Sequence, residues 1–476
     1  MRLLLYTLLS LGFSLKAYTQ IIWTTPVSVA ASTYSNYYPR VMLDRSGDPL
    51  VSWGSDADEA QFSRWTGSSF ATPITLTPSS MPIFSYNWAG PEIASYGDTV
   101  YVVVKEIPET DSTKHVYLVR SFDGGQNFSA PIRVDHVADS LTSLAAVTTD
   151  NSGHPIVTFM KFSPGMHHPR YVVARSHDHG SSFMPNVNAS DFAGDEVCDC
   201  CPPAIINEGS RTIMMFRNNL SNKRTMFAAI SSDNGHTFPG GMEIDNTNWT
   251  VPVCPSSGPD GVVLGDTLYA VYRSSAGGSS KVYLSKSLLT GSNLVSNNTI
   301  STNFTGITSQ DYPRIAKDGN VAVLSWKQTG GGSTRAIVSF THDIRSGFTD
   351  IDTVGDPGVN SVDVAIHDGE VHLVWADNVS GTVKYVKGYY FPSNVPASGR
   401  SQHTRIYPNP AHDHFTADIS NVTKCTLVDI TGKQTALSIE PGAETKVSLE
   451  QVPAGSYIVL IEDASGKLHS SRLVKQ

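Results

Sequence analysis

The stretch SFDGGQNF, residues 121–128, decides the fold because it returns twice, as SHDHGSSF at 176–183 and SSDNGHTF at 231–238. Each copy reads Ser-x-Asp-x-Gly-x-x-Phe, and each starts 55 residues after the one before. The residue types specify a tight turn between two strands. Ser121, Ser176 and Ser231 open the turns. Asp123, Asp178 and Asp233 suit backbone N–H donors inside a hairpin. Gly125, Gly180 and Gly235 supply positive φ. Phe128, Phe183 and Phe238 provide rings that can plug the gap between neighbouring sheets.

Two strand-like runs precede each turn, as in PEIASYGDTVYVVVKE (91–106) and HVYLVRSF (115–122). The same order of strand, tight turn, strand, loop, strand recurs without an intact Asp-turn from Tyr38, Gly258, Tyr312 and Ser361. Seven units of four short strands predict an all-β β-propeller, in which each sheet buries both faces against its neighbours. A six-bladed count stays open if the first or last unit is not a blade. The last unit lacks an outer strand, and IIWTTPVSVA (21–30) is expected to supply it and close the ring.

The repeated turn resembles the Asp-box of the sialidase (BNR repeat) superfamily, and the resemblance spans residues 21–391. It implies a propeller domain over 20–391 whose Asp-boxes lie at the periphery, as structural latches away from the active face. Enzymes of that family hold a sugar carboxylate with three arginines and use a Tyr/Glu nucleophile pair and an acidic Asp. This sequence lacks their Phe/Tyr-Arg-Ile-Pro segment; YYPRV and YPRI place proline before arginine. No Tyr/Glu pair can be assigned by motif, although Tyr38, Tyr272 and Tyr312 fall near the expected active face.

The formal net charge of −9 argues against a nucleic-acid partner. Residues 1–19 read as an export signal, with Arg2 ahead of an apolar run too short to span a bilayer. No later segment reads as transmembrane. No cofactor is called for.

Aligning the units brings out two sets of charged positions. Strand one starts with Arg40, Glu92, Asp260, Arg314 and Asp363 in units one, two, five, six and seven, and with Ala146 and Ala204 in the others. Strand two ends in Lys105, Arg217, Arg273 and Lys327, with Lys161 one place later in unit three. Propeller symmetry should turn both sets into rings at one mouth of the central channel. Mutual pairing is the simplest use of such charges; a pocket for an anionic or polyhydroxylated ligand is the functional one. Arg217 and Arg273, with Arg40 or Arg314, would imitate the sialidase arginine cluster.

Four of the five cysteines, Cys198, Cys200, Cys201 and Cys254, precede strand one of successive units. Export favours disulfides, either Cys201–Cys254 or Cys200–Cys254, with Cys198 taking the remaining partner. A soft-metal site on the Cys-x-Cys-Cys run, with His167 and His168, is the alternative. The run CDCCP with a later CP resembles a subgroup of BNR-repeat proteins.

After residue 391 a polar linker (392–404) leads to a tail at 405–476. YPNPA, LEQVPAGSYIVLI and the basic end RLVKQ resemble the C-terminal sorting domain of the Bacteroidota type IX secretion system. The resemblance implies a small β-sandwich, export through the periplasm and outer membrane to the surface or medium, and the secretion machinery as partner. The expected function is ligand binding by a secreted propeller, with an extracellular glycan as partner. A sialidase-type glycoside hydrolase and a cysteine-centred metal protein are the alternatives.

Overall fold

The computed structural model describes residues 21–30, 35–138, 140–194, 196–300, 306–348, 350–390, 402–419, 421–429, 434–440, 445–464 and 468–476. The expected signal at 1–19 and residues 392–401 of the expected linker lie outside them.

Among the described residues, up to Tyr390 the chain forms seven antiparallel sheets, each built in chain order from its inner strand outward. The inner strands are Asn36–Leu43, Glu92–Tyr96, Leu141–Thr149, Ala204–Glu208, Asp260–Leu264, Ile307–Asp318 and Val359–His367. Each packs against the next, and the seventh packs against the first. The seventh sheet has only three strands of its own. Its outer place is taken by Ile22–Trp23 and Val27–Ala30, which pair antiparallel to Val383–Tyr389.

The strands are rich in Val, Ile and aromatic residues, and both faces are apolar because both are covered. One apolar cluster fills each gap between blades. Leu50, Phe62, Val100 and Val102 join the first and second, and Val364 and Trp375 of the seventh meet Val338 and Phe340 of the sixth. Val29, Val41, Trp53, Val374 and Tyr385 form the cluster where the last blade meets the first.

The Asp-turns sit between the third and fourth strands. Ser121 Oγ donates to Asp123 Oδ1 (2.7 Å), which also accepts from the backbone N–H groups of Gln126 and Asn127 (3.0 and 2.9 Å). Ser121 Oγ itself accepts from Gly125 N at 3.0 Å. The same bonds recur around Asp178 and Asp233. The Asn127 and Ser121 donors hold the Asp123 carboxyl down to about 2. Gly125 has φ 79°, and an added Cβ would lie 2.4 Å from the Phe62 ring of the previous blade. Phe128 packs edge-on against that same ring at 4.8 Å. Arg120 and Arg175 each donate to a carbonyl of the next blade's turn, at His179 (2.6 Å) and Asn234 (2.7 Å). The turns therefore tie blade to blade.

The tail folds as two facing sheets around Phe415, Leu427, Val459 and Leu473. Its cysteine, Cys425, is buried, and burial pushes its thiol up to about 12.

Candidate functional site

Two inner strands carry the sequence Tyr-Pro-Arg, at 38–40 and 312–314. Both tyrosines adopt left-handed backbone, with φ 53° and 52°, at a β-bulge where the pairing register slips. Such a conformation is strained for an aromatic residue and recurs at functional positions. Each bulge re-aims the following arginine, so that Arg40 and Arg314 both reach Glu92.

The cluster on the channel axis is dense. Glu92 Oε1 accepts from Tyr38 Oη at 2.6 Å, Arg40 Nε at 3.1 Å and Arg314 Nη2 at 3.0 Å. Arg314 Nη2 also donates to Tyr38 Oη at 3.0 Å. Asp260 and Asp363 stand 3.9 Å from the Arg314 guanidinium, and each accepts a backbone N–H at 2.9 Å, from Ile315 and Val41. The Arg40 guanidinium lies 3.4 Å from the centre of the Tyr38 ring. Three carboxylates thus face two guanidiniums, all five side chains largely buried. Burial pushes the Asp260 carboxyl up to about 7, and raises Glu92 and Asp363 also. Burial also drives the Tyr38 phenol well above its ordinary range.

This cluster closes the channel near one mouth. Beyond it lies a cavity of about 390 Å³ with Arg40, Glu92, Asp260, Arg314 and Asp363 at its charged end and apolar walls such as Val147, Ile206 and Val262. On the mouth side is a shallow depression lined by Tyr38, Trp88, Pro202, Pro259, Tyr312 and Arg314. Tyr86 and Trp88 stack at its rim with ring centres 6.2 Å apart, and Tyr86 is 55% exposed.

The nine charged candidates divide in two. Arg40, Glu92, Asp260, Arg314 and Asp363 converge as expected. Lys105, Arg217 and Arg273 form no second ring with Lys327, because their side chains turn into the gaps between blades while Lys327 stands apart from them. Lys105 Nζ donates to the carbonyls of Glu106 and Lys114. Burial brings its ammonium down to about 8. Arg217 is fully buried and donates to the carbonyls of Ser257, Arg224 and Arg273. Arg273 pairs with Asp311 at 3.0 Å, so neither of these arginines faces the Tyr38–Glu92 pair. Lys327 lies 5.5 Å from the Tyr312 ring at the mouth. Tyr272 is buried beside Ile244, away from the cluster.

Of the cysteine pairings left open, the structure has Cys200–Cys254, with Cα atoms 6.2 Å apart. Cys198 and Cys201 are buried thiols with Sγ atoms 3.1 Å apart. Burial opposes a Cys201 thiolate. The bond from Cys198 and the nearby Arg217 and Arg224 outweigh it and hold Cys201 down to about 6. Cys198, which gives that bond, is pushed up. Ligand atoms of Cys198, Asp199, Cys200 and Cys254 lie within 4.8 Å of one another. His167 and His168 are outside this group; His168 meets Glu196 at 3.3 Å.

Residues 405–476 match the family described as "Secretion system C-terminal sorting domain". That match assigns the chain to type IX export, toward the cell surface or exterior. No described helix is long and apolar enough to cross a membrane. Comparison with curated proteins finds no match. Among solved structures, the chain is similar to an ulvan lyase bound to -[GlcA(1-4)Rha3S]-. That likeness has a TM-score of 0.50 and 10% identity, over 77% of this chain and 96% of that one. It is also similar to a protein of unknown function from Dyadobacter fermentans DSM 18053, with TM-score 0.47 and 12% identity over 78% and 100%. A third likeness, to an alpha-L-arabinanase of Penicillium chrysogenum complexed with arabinobiose, has TM-score 0.42 and 15% identity over 68% and 99%. At such identities a likeness concerns the fold.

Proposed function

We propose that this sialidase-like β-propeller, exported with a type IX sorting domain, binds an extracellular glycan at the mouth of its axial channel. The observation that carries the reading is the mouth itself. Trp88, Tyr38 and Tyr312 line a shallow depression, and Tyr86 stacks on Trp88 beside it. Flat aromatic faces suit the apolar faces of sugar rings; Tyr86, Trp88 and Tyr312 offer theirs, while Tyr38 is buried with its hydroxyl spent on Glu92. Lys327, beside Tyr312, adds a cation for an acidic sugar. The ulvan lyase named above is bound to a saccharide, which supports the choice of ligand class.

A second reading, glycoside hydrolysis of sialidase type, draws on one observation: Tyr38 Oη donates to Glu92 at 2.6 Å between two arginines. Against it stand the burial of that pair, the engagement of both guanidiniums by protein carboxylates, and the absence of a third arginine at the pair among the described residues. Here the cluster reads as a lock that sets the floor of the mouth.

A glycan array probed with the exported chain tests the first reading. Trp88→Ala and Tyr86→Ala should each weaken the best ligand about 10-fold or more, with Glu92→Gln retaining binding. No saccharide bound, or binding indifferent to both aromatic substitutions, would overturn it. A fluorogenic sialoside tests the second; turnover abolished by Tyr38→Phe would establish hydrolysis in place of binding alone.

A further inference from the structure

The four cysteines at blades four and five are packed more closely than a stapling disulfide requires. Cys198 Sγ lies 3.6 Å from Cys200 Sγ and 3.1 Å from Cys201 Sγ, while Cys200 is already bonded to Cys254. A buried dithiol therefore touches a disulfide. Cys254 is exposed and Cys200 is half-buried, so the two pairs differ in access to solvent.

The surroundings favour charged sulfur. Arg224 Nη1 donates to Cys198 Sγ at 3.0 Å. Arg217 and Arg224 are both buried, and their other polar contacts are backbone carbonyls. Neither forms a salt bridge among the described residues, although the buried Asp245 carboxylate feels the charge of Arg217. A buried guanidinium short of an anion is costly, and for Arg224 a thiolate at Cys198 supplies one. Cationic surroundings and Cys-x-x-Cys spacing, here Cys198 and Cys201, are features of reactive thiols. They disfavour a soft metal cation, which the same arginines would repel.

We infer that the four cysteines form a thiol–disulfide exchange site that takes low-molecular-weight extracellular disulfides. The internal step balances without an outside oxidant. Cys198 passes its proton along the 3.1 Å contact to Cys201, and the resulting Cys198 thiolate attacks Cys200 Sγ; the Cys198–Cys200 bond forms and Cys254 leaves as a thiolate. Cys201, giving its proton to that leaving thiolate, attacks Cys198 Sγ and releases Cys200. The buried pair is then oxidised to Cys198–Cys201, and two electrons reside on the surface pair. An incoming disulfide is attacked by the Cys254 thiolate, one of its thiols leaves, and Cys200 displaces the other. The incoming molecule is reduced to two thiols and Cys200–Cys254 is restored.

The probe is the aromatic disulfide dithionitrobenzoate, added without denaturant to the anaerobically purified full chain. About two equivalents of thionitrobenzoate should be released per chain. Cys201→Ser should release about one at most, since the second displacement is lost. Cys425→Ser should behave as the parent and serves as the folded control. Trypsin separates residues 176–211 from 225–273, which the Cys200–Cys254 bond otherwise joins. Under maleimide trapping, some of the 225–273 peptide should come free with label on Cys254. If native protein releases nothing while denaturant uncovers the propeller thiols, the exchange does not run and the proposal fails. If denaturant uncovers only Cys425, both pairs are static disulfides and it fails equally.

Discussion

Replacing Glu92 tests whether the axial cluster is a lock. Its Oε1 accepts three hydrogen bonds, two of them from guanidiniums, and the arginine side chains are 4% and 14% exposed. In Glu92→Ala, Arg40 keeps the carbonyl of Pro39 and Arg314 keeps two carboxylates no nearer than 3.9 Å. Breaking a buried pair from one side costs about 3–5 kcal/mol, because the remaining charge loses its compensation. Glu92→Gln keeps an acceptor of the same size, and Asp260 and Asp363 remain to face the two guanidiniums. It should cost less, about 1–3 kcal/mol for the weakened charged bonds. The assay is urea unfolding at pH 7 followed by tryptophan fluorescence, with seven tryptophans as reporters. The midpoint should fall in the order parent, Gln, Ala, with the slope unchanged. Equal costs for Gln and Ala, or an Ala variant within about 1 kcal/mol of the parent, would mean that water screens the cluster and that it locks nothing.

Other expectations follow from the same geometry. Asp260 has a folded pKa of about 7, above its unfolded value near 3.9. The folded chain therefore holds a proton there that the unfolded chain has released, and stability falls as pH rises from about 4 to 7. Asp260→Asn should flatten that part of the melting-temperature profile; an unchanged slope would refute the assignment. Gly125→Ala should cost about 3 kcal/mol or more, since it meets both a positive φ and the Phe62 ring, whereas Gly124→Ala, with open space, should cost about 1 kcal/mol. Comparable urea midpoints for the two would remove the steric argument. Phe128→Ala, at a partly buried ring, should cost about 1–3 kcal/mol by opening the gap between the first and second blades, read by the same unfolding curve.

The repeats were readable because a Ser-x-Asp-x-Gly-x-x-Phe turn needs those residue types for its own bonds, whatever surrounds it. The inner ring was readable because strand one carries the same position to the axis in every blade. The second ring failed because equivalence in sequence places a residue but does not aim it. Arg217 and Arg273 stand at matching positions, yet one is spent on carbonyls and the other on Asp311. The Tyr38–Glu92 pair was hidden by the bulge that turns Tyr-Pro-Arg, a backbone feature with no pattern of its own. Tyr86 and Trp88 belong to a connection between blades, where periodicity says nothing. The cysteine pairing was undetermined because spacing alone brings all four together.

The strand Val27–Ala30 has a consequence for how the chain matures. Its partner, Val383–Tyr389, is more than three hundred residues downstream, and the two make one sheet only when both exist. Until then a nascent or translocating polypeptide carries two unsatisfied borders, each able to recruit foreign strands. Completion is thus a length checkpoint: a molecule truncated at any intermediate blade keeps both borders open, and only the full-length chain can pair them.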